Sequence, residues 1–209
     1  AFLTTDADLT SEELQPMLRE AVSESFNCIT VDGETSTNDS VIMLANGASG
    51  VKHMTAPDKK VITEAIYIAC LEMAHAIVKD GEGATKFVTV RVSGGKTKSE
   101  AKRAAFAIAD SNLVKTALYG GDPNWGRIIS AVGASGASTK PESVRITLNE
   151  VEVFSGEKPN EDGVKALAKG LQDPEVLIEV DLCSGEKEAV VWTSDLSYDY
   201  IRINAEYHT

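Results

Sequence analysis

The sequence predicts an α/β chain built of α+β layers, not a doubly wound parallel sheet. Three observations carry this. Segments of helical and strand periodicity are mixed along the chain, two capping boxes mark helix starts, and the strands joined by short turns gather late, beyond Pro141. No internal repeat or low-complexity segment is present.

Taken in order, Ala1-Phe2-Leu3-Thr4-Thr5-Asp6 is apolar and β-branched, as a strand requires. It carries no initiator methionine, which fits either trimming or proteolytic maturation of a longer precursor. Thr10-Ser11-Glu12-Glu13 is a capping box opening a helix to about Phe26, with Leu14, Leu18, Val22 and Phe26 on one face. Val41 to Ala45 is a short strand ended by Asn46-Gly47. Pro57 suits the first turn of a long helix running to about Asp80, with Gly81 as its stop. Thr85 to Val92 alternates as a half-buried strand, and Thr97-Lys98-Ser99-Glu100 caps an alanine-rich helix ending near Ala109. Gly120-Gly121-Asp122-Pro123 separates two further helical stretches. Val144–Leu148 and Val151–Phe154 form a hairpin turning at Asn149-Glu150. A helix fits Asp162 to Leu171, and strands fit Val176–Leu182 and Ala189–Thr193. Tyr198 to Tyr207 alternates as a final strand would. The change of texture near residue 140 divides the chain into a main portion, 1–140, and a smaller C-terminal α/β lobe, 141–209.

The chain has 209 residues and a formal charge of -12, which argues against a nucleic-acid or anionic-membrane surface. No apolar run reaches the roughly 18–20 residues of a membrane span, and no basic-then-apolar signal opens the chain. Cys28, Cys70 and Cys183 lie far apart without metal-ligand spacing. They read as reduced thiols of a cytoplasmic protein, with no metal site.

Chemistry-bearing residue types gather in a few places, each with a plainer reading beside it. Asp32 to Asp39 either lines a site or is an Asx-rich turn satisfying its own backbone. Glu82, between Gly81 and Gly83, either offers a carboxylate to an ammonium or sits in a tight turn. The stretch Tyr119 to Arg127 resembles a phosphate cradle but matches neither standard nucleotide motif, and reads better as a compact loop pinned by Trp125. The tail Asn204-Ala205-Glu206-Tyr207-His208-Thr209 would ordinarily fray. No Ser-His-Asp arrangement emerges from spacing, and His53 and His75 gain no role.

Longer signatures add a resemblance. Phe26 to Asp39, Ala45 to Ala48, Gly81 to Lys86, Ala109 to Ala117, Gly121 to Arg127 and Asp195 to Tyr207 follow one another from end to end of the chain. Together with Ala1 to Asp6 they resemble the ornithine acetyltransferase family, also called glutamate N-acetyltransferase.

The resemblance implies that this is the β chain of a self-cleaving precursor in arginine biosynthesis. The nucleophile would be the N-terminal threonine of a Thr-Met-Leu segment directly before Ala1, so no catalytic nucleophile is expected within this chain. An α-amino group with a pKa of about 7.7–8.0 can act as the base for that hydroxyl. N-acetylornithine would acetylate the threonine, and glutamate would then take the acetyl group. Some family members also accept acetyl-CoA; no cofactor is otherwise implied. The family's substrate-contacting residues fall on Glu82, Asn204 and Thr209, whereas Thr35 to Asp39 would support the site. The fold implied is a sandwich of sheets flanked by helices and completed by a companion α chain, as a heterotetramer of two α and two β chains. That companion would carry the oxyanion-hole Thr-Gly pair and a substrate-binding lysine. Runner-up readings are a related self-cleaved aminopeptidase or amidohydrolase, with water as the acyl acceptor, and a non-catalytic small-molecule-binding domain.

Overall fold

A computed structural model describes residues 1–52, 54–156, 158–167 and 170–207. The chain divides into two compact units, one of residues 1–29 and 34–77, the other of residues 30–33 and 78–209.

In the first unit, strand β1 (Phe2–Thr5) pairs in parallel with β2 (Ile42–Ala45), Phe2 opposite Ile42 and Thr5 opposite Ala45. Helix α1 (Ser11–Ser23) starts with the expected capping box: Glu13 N donates to Thr10 Oγ1 at 3.4 Å, and Thr10 N to Glu13 Oε2 at 3.0 Å. It ends sooner than its apolar spacing suggests, and Phe26–Cys28 form a 3₁₀ turn. Helix α2 (Ala56–Lys79) is capped by Thr55, whose N donates to Asp58 Oδ2 at 2.8 Å. Lys59 of α2 pairs with Glu13 of α1. Leu3, Leu9, Leu14, Ala21, Ile66 and Cys70 form the core, and burial pushes the Cys70 thiol pKa up.

Helix α2 corrects one expectation. It is long and apolar enough, with a mean hydropathy of 1.6, to meet the length and composition of a membrane span. The count of uninterrupted apolar residues missed this because Glu64 and Glu72 break the run. Ile66 and Cys70 of the same helix are core residues of the first unit.

In the second unit a mixed sheet has the order β6-β5-β4-β7-β3-β8. Its members are β3 (Phe87–Gly95), β4 (Arg145–Leu148), β5 (Val151–Ser155), β6 (Lys158–Pro159), β7 (Glu175–Asp181) and β8 (Lys187–Ser194). β3 lies between β7, parallel to it, and β8, antiparallel to it. Val88, Val90 and Val92 share one face of β3 and are fully buried, whereas Arg91 on the opposite face is exposed. The hairpin β4–β5 turns where expected, with Asn149 at φ 43° and Glu150 at φ 66°, the left-handed pair that a two-residue hairpin loop requires.

The helices of this unit are α3 (Lys98–Ala109), α4 (Asn112–Tyr119), α5 (Trp125–Ala134), α6 (Glu161–Leu167) and α7 (Tyr198–Glu206). The small side chains of α3 let it approach the sheet closely: Ala101, Ala104 and Ala105 are fully buried, and α3 packs on β3 and β8. Its second expected capping box is only half made. Thr97 Oγ1 accepts from Glu100 N, but the Glu100 carboxylate accepts from Lys96 N at 2.7 Å and Ser138 N at 2.6 Å. It thereby ties the helix start to the chain beyond α5.

Two further expectations change. α6 begins at Glu161, and a 3₁₀ turn occupies Gly170–Gln172, where a helix to Leu171 was expected. The tail is a helix, not a final strand. Ser197 caps it and Asp199 lies in its first turn, local signals that outweigh the alternation of Tyr198, Tyr200 and Ile201.

Candidate functional site

The site is built where β8 runs out. Asp195, only 3% exposed, faces the start of β3. Its Oδ1 accepts from Thr85 N at 2.8 Å and Lys86 N at 2.9 Å, and its Oδ2 accepts the Thr85 hydroxyl. A buried carboxylate is stable only when so satisfied, and this one fixes the link between α2 and β3 to the end of β8.

That link carries Glu82. Ala84 N donates to Gly81 O at 3.0 Å, closing a turn around Glu82 and Gly83. Gly83 has φ +66°, and a Cβ there would stand 2.5 Å from Tyr200 N and 2.9 Å from Ser197 Oγ. Only glycine lets this loop sit against the start of α7. Ser197 secures the contact from the other side: its hydroxyl donates to Gly83 O at 2.6 Å and accepts from Tyr200 N at 3.3 Å.

With its start held there, α7 presents Asn204 to the loop. Asn204 Nδ2 donates to Glu82 Oε2 at 2.8 Å and to Tyr200 O at 3.0 Å. One turn earlier, the Tyr200 hydroxyl donates to Asp32 Oδ2 at 2.9 Å. Asp32 belongs to a turn whose Thr30 Oγ1 donates to Asp110 Oδ1 at 2.6 Å and accepts from Gly33 N at 3.1 Å.

Beneath this surface lies Lys115 of α4, 1% exposed. Its ammonium donates to Thr193 Oγ1 at 2.9 Å and to the Ser194 carbonyl, at the end of β8. Burial pushes its pKa down to about 8, opposed by the carboxylates of Asp110, Asp195 and Asp32.

Glu82 and Asn204, the expected substrate contacts, are thus brought together. Thr209, the third, lies outside the described residues, as do His53 and His208. The polar run 32–39 splits in two. Asp32 meets α7, whereas Ser36 N and Oγ bond the Asp39 carboxylate at 3.2 and 2.7 Å, a self-contained turn that holds the Asp39 pKa down. In the stretch before α5, Asn124 Oδ1 caps the helix through Arg127 N at 3.1 Å, and Trp125 stacks on Phe154 with ring centroids 4.8 Å apart. That is the compact pinned loop expected there.

Asp195, Ser197, Lys115 and the Asp32–Tyr200 bond were not singled out from spacing. Their partners lie tens of residues away, and only the glycine at 83 marked the place where backbones converge. Among the described residues, no group of three or more His, Cys, Asp or Glu side chains could hold a metal ion. Chemically, the Glu82–Asn204 pair combines an anionic acceptor with an amide, groups that can recognise an ammonium and its neighbours; it includes no nucleophile.

The sequence matches the ArgJ family over residues 1–209. The chain belongs to the ArgJ family. It is similar to the arginine biosynthesis bifunctional protein ArgJ of Geobacillus stearothermophilus, 47% identical over 211 residues, which cover all of this chain and 52% of that protein. It is also similar to the glutamate N-acetyltransferase of Methanocaldococcus jannaschii, 47% identical over 216 residues, covering all of this chain and 53% of that one. The chain therefore spans about half the length of the curated relatives it matches. A crystal structure of the arginine biosynthesis bifunctional protein ArgJ from Bacillus halodurans superposes with a TM-score of 0.93 and 41% identity, over 99% of this chain and 98% of that one. ArgJ family membership agrees with the resemblance drawn from the sequence signatures. The mixed sheet with flanking helices is accordingly the ArgJ fold.

Proposed function

We propose that this chain forms part of a cytoplasmic acetyltransferase of arginine biosynthesis that moves acetyl from N-acetylornithine to glutamate. The observation that carries this is the hydrogen bond joining Glu82 to Asn204, in a chain whose relatives include glutamate N-acetyltransferases. Glu82 Oε2 is engaged by Asn204, and Oε1 can take a substrate ammonium.

The nucleophile in this reading is a threonine immediately upstream of Ala1 in the complete protein. Its own α-amino group accepts the hydroxyl proton as Oγ attacks the acetyl carbonyl. The amide C–N bond then breaks, the amine takes the proton, and ornithine leaves an acetyl ester on the threonine. The neutral amine of glutamate attacks that ester, N-acetylglutamate departs, and the threonine hydroxyl is restored. The exchange needs no cofactor, and acetyl-CoA could enter only as an alternative donor.

A companion α chain from the same precursor would supply the oxyanion hole, with two α and two β chains in the assembly. Supporting this, β1 and β2 form a parallel sheet of only two strands, with Phe2 and Leu44 exposed, and such a sheet is marginal alone. Thr209 remains a proposed third substrate contact.

The test is to mix the complete protein with N-acetylornithine, quench in acid and measure intact masses. One added acetyl group on a threonine-led fragment, removed by glutamate, is the expected result. Steady release of acetate without glutamate would replace this reading with an amidohydrolase.

A further inference from the structure

Helix α7 has no buried residue; its first residue, Tyr198, meets Tyr119 edge-on with ring centroids 5.5 Å apart, and polar contacts hold the turns that follow. Its register depends on polar contacts at its start and along one face. Ser197 holds the start to Gly83. Along the face, Tyr200 and Asn204 are four residues apart, hence neighbours one turn apart, and each meets a carboxylate: Asp32 and Glu82 respectively.

The two carboxylates come from segments that run side by side. A Cβ at Gly81 would lie 3.2 Å from Val31 Cγ1, so the residues just before Glu82 and Asp32 are in contact. The Asp32 segment is itself anchored, since Thr30 N donates to Trp192 O of β8 at 3.0 Å and Thr30 Oγ1 to Asp110. Asp32 is therefore a fixed point against which α7 can be set.

We infer that Asp32 and Tyr200 are positioning residues for the acetyl-transfer site. Their bond fixes the rotation of α7 that delivers the Asn204 amide to Glu82 Oε2 and leaves Oε1 for the substrate's ammonium. This rests on the acetyltransferase reading proposed above. Asp32 acts here through the phenol and not as a charge on the substrate, which separates its role from that of Glu82.

The experiment uses the complete protein with Tyr200→Phe, Asp32→Ala and Asp32→Asn, measuring kcat and KM for glutamate and N-acetylornithine. Both residues lie at the surface side of the fold, and none of the three changes enlarges a side chain. Tyr200→Phe and Asp32→Ala should each raise KM by about 10-fold, with kcat changed less, as expected for losing one hydrogen bond to a charged acceptor. Asp32→Asn keeps an acceptor for the phenol and should recover much of that loss. The double variant should be no worse than either single one. Amide hydrogen exchange along α7 should quicken in Tyr200→Phe and Asp32→Ala alike.

Wild-type kinetics in Tyr200→Phe would overturn the inference while leaving the acetyltransferase reading intact. So would an Asp32→Asn enzyme as poor as Asp32→Ala, because the carboxylate charge, on the substrate or on Lys115, would then matter more than its bond to the phenol. A wild-type protein without acetyl transfer would overturn the reading itself.

Discussion

Asn204 donates its side-chain amide to the Glu82 carboxylate at 2.8 Å, across 122 residues of sequence, and both side chains are exposed. An exposed polar contact contributes little to stability, commonly no more than about 1 kcal/mol. Much of the surrounding fold is nonetheless committed to making it: a positive-φ glycine, a serine cap shared between loop and helix, and a buried aspartate. That imbalance between small stabilisation and extensive support is the physical case for a binding role.

Gly83→Ala tests the loop that presents Glu82. The added methyl meets Tyr200 N at 2.5 Å in a backbone at φ +66°. The variant should lose about 1–3 kcal/mol of local stability, read as faster amide exchange along α7. Acetyl transfer by the complete protein should fall by about 5–150-fold, the rate equivalent of that energy. Gly50→Ala is the control, since Gly50 has φ +71° with nothing within 4 Å. It carries the strain without the collision and should leave α7 exchange unchanged.

Asp195→Ala tests the anchor beneath. It strips the part-buried Thr85 N and Thr85 Oγ1 and the buried Lys86 N of their acceptor. We expect a loss of about 3 kcal/mol or more in urea unfolding, and a smaller loss for Asp195→Asn, which retains one carbonyl acceptor. Equal midpoints for wild type and Asp195→Ala would show that the anchor is dispensable.

Lys115 predicts a pH dependence. Its folded pKa of about 8 lies below the ordinary 10.5, so the unfolded chain binds the proton more tightly. Stability from this residue is therefore full above about 10.5 and is lost as pH falls through about 8, a span of about 3 kcal/mol. Lys115→Met should flatten that rise. The difference between wild type and variant, followed by urea unfolding from pH 7 to pH 10, should move in favour of wild type as pH increases. A constant difference would mean that Lys115 does not titrate in this window.

Glu100 behaves in the opposite range. Hydrogen bonds from Ser138 N and Lys96 N hold its pKa below the ordinary 4.5. Its stabilisation is present above 4.5 and fades as pH falls through the depressed folded value. Glu100→Gln should thus be less stable than wild type at neutral pH, with the gap closing in acid. Thermal unfolding at pH 7 and pH 3 reads this directly.

Much of the fold was legible in sequence because its signals are local. Thr10 with Glu13, the Asn149-Glu150 turn and the alternation of Val88, Val90 and Val92 each specify structure within a few residues. The site was only half legible for the same reason. Glu82 and Asn204 came from a family pattern, whereas the spine beneath them joins residues with no local signature. Lys115 reads as an ordinary helix lysine until Thr193 and Ser194 are brought over it. The tail misled because alternating Tyr198 and Tyr200 imitate a strand, while the Ser197 cap that decides the helix depends on a single hydroxyl.

The most direct test of the central claim is acetyl transfer from N-acetylornithine to glutamate by the complete protein carrying Glu82→Ala, Asn204→Ala or both. Each single variant should keep its fold and lose about 10–100-fold in kcat/KM, the worth of a hydrogen bond to a charged group. The double variant should be little worse than the weaker single one, since the two side chains act as a pair. Wild-type rates in either single variant would contradict the claim that this pair receives the substrate.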